Sequence, residues 1–520
     1  MDTPASPAIP RLQQVLGAEH VLVDEPSRRF FSTDIFRTRE IACVAVRPGT
    51  VEELAEAVRI ATDSGLAVLA RGGGMSYTDG YLPDRTAAMV IDTKRLNRVV
   101  EVNTTDMYVT AECGISWLEL DAALAPHGVR TPFWGTGSGR YATIGGGLSQ
   151  NAINYGSGRY GPASESCLGL EVVLADGRVL VTGSAATPYR PTPFFRHYGP
   201  DLTGLFLSDT GALGVKARAT LRLIRRAPVL DYGSFEFPDH RGTIAAMAEL
   251  ARSALPSEMS GYDSTAVAYM IQRRSLSEDV ERLAAVARHD GLGAAARIAL
   301  AGRRGLRGAA YSVHFTIEGR DQADAASALA AAKAICRGAG GRELEPSVPR
   351  IVRAGPFPEP TLLFNADGKQ WIPVHVIVPH SRVVPLIEAV EEYMAARADD
   401  LDRLGIEWGN FLAPATAQAL RVEPCLFFPD EANVLRLSFF DEEYRGKLRR
   451  HPRRPEVHDA VRQIRIDIGR MSQRFGGAHF QIAKMYPYRE TRAPETYALL
   501  QAVKAWVDPK GLMNPGSLGL

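Results

Sequence analysis

The sequence predicts an α+β protein of more than one domain, and three observations carry that prediction. A strand–helix–strand unit over residues 41–76 closes on a glycine triplet, a run of short strands continues to residue 223, and an alanine-rich helical half follows Ala227-Pro228. At 520 residues and 45% hydrophobic content, the chain exceeds what one core supports. We divide it into residues 1–228 with a core at about 38–226, a second unit at 229–470, and a closing segment at 471–520.

Ile41 to Val46 reads as a buried strand and Pro48-Gly49 as a turn. Thr50 with Glu53 forms a capping box for an amphipathic helix that runs to about Ser64 and ends at Gly65. Leu66 to Ala70 is a second buried strand, followed by Arg71-Gly72-Gly73-Gly74-Met75-Ser76. Strands are then expected at Ala88–Asp92, Val99–Val102, Tyr108–Ala111, Gly169–Leu174, Val179–Thr182 and Gly214–Leu223, which together suggest an α+β subdomain. In the second half, helices are expected from Arg241 to Ala254 and from Ala323 to Ala334. Strands are expected from Tyr311 to Ile317 and from Trp371 to Val378.

The glycine triplet sits at the carboxyl end of a strand, where open α/β sheets place ligands, and its bare backbone lets amides converge on an anion such as a diphosphate. A second loop, Gly135 to Gly161, holds nine glycines, far denser than a connector needs. Gly156-Ser157-Gly158-Arg159-Tyr160-Gly161 matches the G-x-G-x-x-G fingerprint by letter. Its context is wrong, because polar Gln150-Asn151 precedes it and Pro162 follows. Gly137-Ser138-Gly139-Arg140-Tyr141-Ala142 likewise lacks a preceding central strand, so a Rossmann NAD site is not predicted.

The net charge of +1, from 60 basic and 59 acidic residues, gives no footprint for nucleic acid or an anionic membrane, and small molecules are the expected partners. The basic stretch Tyr444 to His458 contains Pro452 and Pro455 and is expected to be a solvated loop. Five scattered cysteines without a C-x-x-C pair read as reduced core residues, and no metal site is expected. Met1 to Pro7 has neither a basic start nor an apolar segment, and no apolar run reaches spanning length. A cytoplasmic enzyme is therefore expected.

Four stretches in order resemble the flavoprotein superfamily of vanillyl-alcohol oxidase and p-cresol methylhydroxylase, which also includes the glycolate oxidase and D-lactate dehydrogenase flavin subunits. They are Arg47-Pro48-Gly49-Thr50 with Glu53; Arg71 to Ser76; Ala142-Thr143-Ile144-Gly145-Gly146 through Gly161; and Leu170-Glu171-Val172-Val173-Leu174-Ala175-Asp176-Gly177. Asp201 to Val215 resembles the family's next strand pair, and Val507-Asp508-Pro509 through Asn514-Pro515-Gly516 its closing segment. The resemblance implies a PCMH-type FAD-binding domain at 1–228, a cap over the flavin at 229–470, and a return to the FAD domain at 471–520. It places FAD against Arg71, Gly72, Gly73, Gly74, Met75, Ser76, Thr143, Gly146, Gly147, Asn151, Gly214, Val215 and Asn514.

By the same resemblance, His479 falls where hydroxy-acid dehydrogenases carry a catalytic histidine, and Tyr488-Arg489 resembles the pair that holds a phenolate in 4-alkylphenol oxidases. Packing or ordinary pairing of these three residues stays open. Met75 stands where N-terminally tethered relatives have histidine, so a flavin tether, if there is one, would come from the cap, with His375 or His380 as candidates. Pro162 replaces the aspartate of the phenol oxidisers, and the cap lacks a His-rich metal motif. The expected function is FAD-dependent hydride removal from a C–OH or benzylic C–H of a small aromatic or hydroxylated substrate. A D-2-hydroxy-acid dehydrogenase and a catalytically silent flavin-binding protein are the alternatives. The electron acceptor (oxygen, cytochrome or quinone), the mode of flavin attachment and a homodimeric state stay open.

Overall fold

The computed structural model describes residues 7–189, 192–271, 276–301, 309–359 and 367–520. The stretch 1–6, read above as neither signal nor anchor, lies outside the described residues.

The first helix of the strand–helix–strand unit spans Val51–Asp63, and Thr50 Oγ1 accepts the Glu53 amide at 3.1 Å. The Glu53 carboxylate turns back one residue further than a capping box requires, to the Gly49 amide at 2.7 Å. Gly65 follows with φ +73°, the left-handed stop that a glycine supplies. Val51, Leu54, Val58 and Ala61 recur at helical spacing and pack on a four-stranded sheet. In that sheet Ala88–Asp92 lies between Val44–Val46 and Ala67–Arg71, all parallel, with Val21–Leu22 on the edge. Ala88–Asp92 thus corrects the sequence reading, which grouped it with the later strands. Covered on both faces, it reads as a continuous apolar run rather than an alternating one.

Five further strands of the first half form an antiparallel sheet in the order Val99–Asn103, Tyr108–Glu112, Val215–Arg222, Cys167–Val173, Val179–Val181, and Val129–Arg130 pairs separately with Ile224–Arg225. The C-terminal segment returns to the first sheet: the Val68 amide donates to the Leu512 carbonyl at 2.8 Å, and the Asn514 amide donates to the Val68 carbonyl at 2.9 Å.

An eight-stranded antiparallel sheet begins at Val229–Phe237 and includes Pro256–Asp263, Tyr311–Gly319, Glu407–Thr416 and Ala419–Pro429. Helices His240–Ser253, Gln322–Gly338, His380–Ala395 and Pro455–Met471 contribute to its apolar core. The strand expected from Trp371 to Val378 is two strands, Lys369–Pro373 and Val376–Pro379, both paired with Ala419–Pro429. Pro424 has no N–H to donate opposite the break, and its carbonyl accepts the Val374 amide at 2.8 Å. His375 sits in that interruption. The basic stretch is also less open than expected, since Asp441 caps a helix Glu442–Lys447 and Pro455 starts another, leaving 448–454 irregular.

A buried ion cluster joins the two halves. Arg130 donates to Glu318 at 2.6 Å, Arg353 to Glu318 at 2.7 Å and to Glu258 at 2.9 Å, and the Trp134 indole to Glu258 at 3.0 Å. Each buried carboxylate is matched by a guanidinium, which makes the burial tolerable. All five cysteines are free, four of them buried and Cys43 half-buried.

Candidate functional site

Two adjoining cavities share part of their walls. The smaller, of about 950 Å³, is lined by Gly72, Gly73, Gly74, Met75, Ser76, Thr143, Gly146, Gly147, Gly214 and Val215. Among the described residues, the amides of Gly72 through Ser76 donate to no protein acceptor, so five N–H groups in sequence are free for a ligand. Two buried polar atoms on its wall, Trp117 Nε1 and Gln150 Oε1, are also unpaired. Such groups cost free energy unless a ligand satisfies them. Close packing keeps the nest in shape: a Cβ on Gly73 would lie 1.7 Å from the Tyr141 carbonyl oxygen, and Gly74 holds φ +78°.

Three of the residues expected to touch cofactor stand just behind this wall. The Arg71 guanidinium lies 5.0 Å from the Phe30 ring, 5.1 Å from Phe31 and 5.6 Å from Tyr81, and 3.9 Å from Asp92, bracing the nest from below. Asn514 Nδ2 donates to the Gly80 carbonyl at 2.7 Å and the Thr210 carbonyl at 2.6 Å, tying two lining loops together. Asn151, at φ +50°, ends the helix Ile144–Gln150 and accepts the Ser164 amide at 3.3 Å.

The larger cavity, of about 1850 Å³, shares Met75, Thr136, Ser138 and Gln481 with the first and opens into the eight-stranded sheet. A chain of polar side chains crosses the wall of this larger cavity. The Tyr77 hydroxyl lies 2.6 Å from His375 Nε2, which lies 3.0 Å from Glu423, and Arg421 lies 2.9 Å from the other Glu423 oxygen. All four line the cavity. Burial, then the Glu423 charge, pushes the Tyr77 hydroxyl up, while burial, then Arg421, drives His375 well below its usual range. Burial also raises Glu423 against the pull of Arg421. His375 is therefore a neutral imidazole, so its 3.0 Å approach to Glu423 is not an ion pair. Its Nδ1 has no partner among the described residues.

The three expected catalytic residues line neither cavity. His479 Nδ1 donates to the His375 carbonyl at 2.7 Å, its Nε2 lies 3.0 Å from Gln473 and 3.3 Å from Ser472, and the ring stacks on Tyr486 at 4.0 Å. The bridge between Ile377 and Ala478 brings it there, and with both nitrogens engaged it positions the His375 backbone. Tyr488 packs against the core of the eight-stranded sheet beneath Arg492, and Arg489 is exposed with its guanidinium 5.6 Å from the Tyr497 ring. His380 bonds the Ala417 carbonyl at 2.8 Å and also lines neither cavity. Sequence reasoning missed Tyr77, Arg421 and Glu423. The available signal was Arg421-Val422-Glu423-Pro424-Cys425, charges at alternate positions in an otherwise apolar strand.

The comparisons with known proteins agree with this architecture. Residues 42–183 match an FAD binding domain, and residues 482–518 match the C-terminal domain of FAD linked oxidases. The chain is 28% identical over 273 residues to an uncharacterized FAD-linked oxidoreductase of Mycobacterium tuberculosis, covering 51% of this chain and 56% of the relative. It is 26% identical over 235 residues to D-lactate dehydrogenase [cytochrome] 1 of Saccharomyces cerevisiae, covering 45% and 38%. The chain thus spans about half the length, or less, of these curated relatives. In fold it resembles p-cresol methylhydroxylase with substrate bound, at TM-score 0.74 and 16% identity, over 100% of this chain and 98% of that one. FAD is the cofactor of a domain of this kind, and the free amides of the nest suit its diphosphate. Among the described residues no group of three metal-ligating side chains forms a metal site, and no helix is long and apolar enough to cross a membrane.

Proposed function

We propose that this chain, which carries an FAD binding domain and the C-terminal domain of FAD linked oxidases, is an FAD-dependent oxidoreductase. Its substrate is a small aromatic or hydroxylated molecule oxidised at a C–OH or benzylic C–H, and it works as a cytoplasmic enzyme. The observation that carries the reading is the Tyr77–His375–Glu423–Arg421 chain, which lines an aromatic cavity that adjoins the diphosphate cradle.

When bound, FAD supplies the two-electron acceptor for the substrate C–H. The protein's own task is to hold the substrate and take its proton. Tyr77 presents a protonated hydroxyl to the cavity, and His375, kept neutral by burial, accepts through Nε2. A proton leaving a substrate hydroxyl passes to the Tyr77 oxygen as the Tyr77 proton moves to His375. Glu423, with Arg421 behind it, then stabilises the charge on the ring. Tyr155, Tyr262, Trp371 and Phe480 give the cavity stacking faces for an aromatic body and keep bulk water from the relay.

The likeness to D-lactate dehydrogenase supports a second reading, a D-2-hydroxy acid as substrate. Against it, the cation nearest His375 on the cavity wall is Arg421, already neutralised by Glu423 and so poorly placed to grip an α-carboxylate. The test is anaerobic titration of the flavin spectrum with 4-ethylphenol, 4-hydroxybenzyl alcohol, D-lactate and glycolate. Bleaching by the phenolic compounds supports the first reading and bleaching by the hydroxy acids the second. A flavin that stays oxidised throughout overturns both and leaves a silent flavin-binding protein.

A further inference from the structure

The larger cavity exceeds what a simple phenol fills, and its lining charges balance except for one. Arg421 is paired with Glu423, Glu258 with Arg353, and Glu359 with Arg140 at 3.2 Å. Arg282 is the exception. It lies on the helix Leu276–Asp290, is half-buried, lines the cavity, and has no acid within ion-pair distance among the described residues. Burial without a counter-charge holds its pKa down to about 10, the Tyr155 hydroxyl being its one electrostatic partner. A guanidinium withdrawn from water without an anion is costly to keep, and proteins retain such groups where a ligand supplies the charge.

The surroundings of Arg282 describe the rest of that ligand. Leu283 and Val286, on the same helix, pack with Ile351 and Ala354 of the helix Ser347–Ala354. Val348, Ile351 and Val352 of that second helix form an apolar cavity wall. The reacting end stands on other elements: Tyr77 follows the glycine nest, His375 precedes Val376–Pro379, and Arg421 and Glu423 lie on Ala419–Pro429.

We infer that Arg282 is a substrate-binding residue, and that the substrate is an anion with an apolar or aromatic body and a carboxylate remote from the oxidised carbon. The inference rests on the larger cavity being the substrate site of the proposed oxidoreductase. Arg282 forms a charge-assisted pair with the carboxylate, the apolar wall covers the body, and the reacting carbon reaches Tyr77.

The test is calorimetric titration of the FAD-loaded protein with 4-phenylbutyrate and its uncharged analogue 4-phenylbutyramide. Wild type should bind the acid about ten- to a hundredfold more tightly than the amide, the range for a charge-assisted pair. Arg282→Met should remove that preference, and Arg282→Lys should keep part of it. Flavin content and circular dichroism confirm that both variants fold. Equal affinities in wild type, no binding of either compound, or an acid preference unchanged in Arg282→Met would each overturn the proposal. Binding heat needs no turnover, so a flavin that no substrate bleaches would sink the oxidoreductase reading while leaving the acid preference to stand or fall alone.

Discussion

Replacing Gly73 by alanine tests the cradle without knowledge of the substrate. The added Cβ would sit 1.7 Å from the Tyr141 carbonyl oxygen and 2.4 Å from its carbon, where real Cβ contacts stay beyond 3.0 Å. One of the two backbones must therefore retreat by at least 1.3 Å, the difference between 3.0 and 1.7. Gly73 lines the smaller cavity, and Tyr141 directly precedes Ala142 and Thr143, which line it too. Overpacking of this kind costs about 1–3 kcal/mol in stability. Re-aiming two amides away from a diphosphate loses about 1.5–3 kcal/mol each, or roughly a hundredfold to ten-thousandfold in FAD affinity. The assay is FAD content of the purified protein, followed by titration of the stripped protein with FAD. Gly338→Ala, whose Cβ meets nothing within 4 Å, is the control. Gly73→Ala protein that holds FAD within threefold of the control would refute the assignment of the nest.

Other perturbations read the second cavity and the core. Tyr77→Phe should slow anaerobic flavin reduction about a hundredfold or more while leaving FAD content unchanged, and stopped-flow absorbance would show it. Glu423→Ala strands the Arg421 guanidinium in a buried wall and should cost about 3–5 kcal/mol in denaturant unfolding. His314, enclosed by Ser234 and Ser312, is held by burial at a pKa of about 3. Because this lies below its unfolded value, its stabilising effect is full above about pH 6.5 and is lost as pH falls. Wild type should therefore lose about 2 kcal/mol more than His314→Asn between pH 7.5 and 5.0. Parallel denaturation curves for the two proteins at those pH values would contradict this.

Local signals were legible where a segment folds on its own chemistry. Thr50 and Glu53 mark a helix start and Gly65 its end, and the triplet after Ala67–Arg71 marks a run of amides free of protein acceptors among the described residues, because each depends on neighbours a few residues away. The second glycine loop, with Thr143, Gly146 and Gly147, was legible for the same reason. Tyr77, His375, Arg421 and Glu423 come together only because Val376–Pro379 pairs with Ala419–Pro429 and the nest abuts that sheet. In the sequence His375 reads as a candidate flavin tether, not as the partner of Tyr77. His479 matches a catalytic histidine only by resemblance, and the bridge between Ile377 and Ala478 turns its ring onto a backbone carbonyl. Ala88–Asp92 looks like its sequence neighbours because the apolar run Ala88 to Ile91 carries no mark of which sheet it will join.

The account stands most directly on the visible spectrum of the purified protein, recorded before and after anaerobic addition of substrate. It predicts a yellow protein with a flavin spectrum that bleaches with a phenolic alcohol or alkylphenol and recovers on reoxidation. A colourless protein that takes up no added FAD would contradict the cradle and the function together.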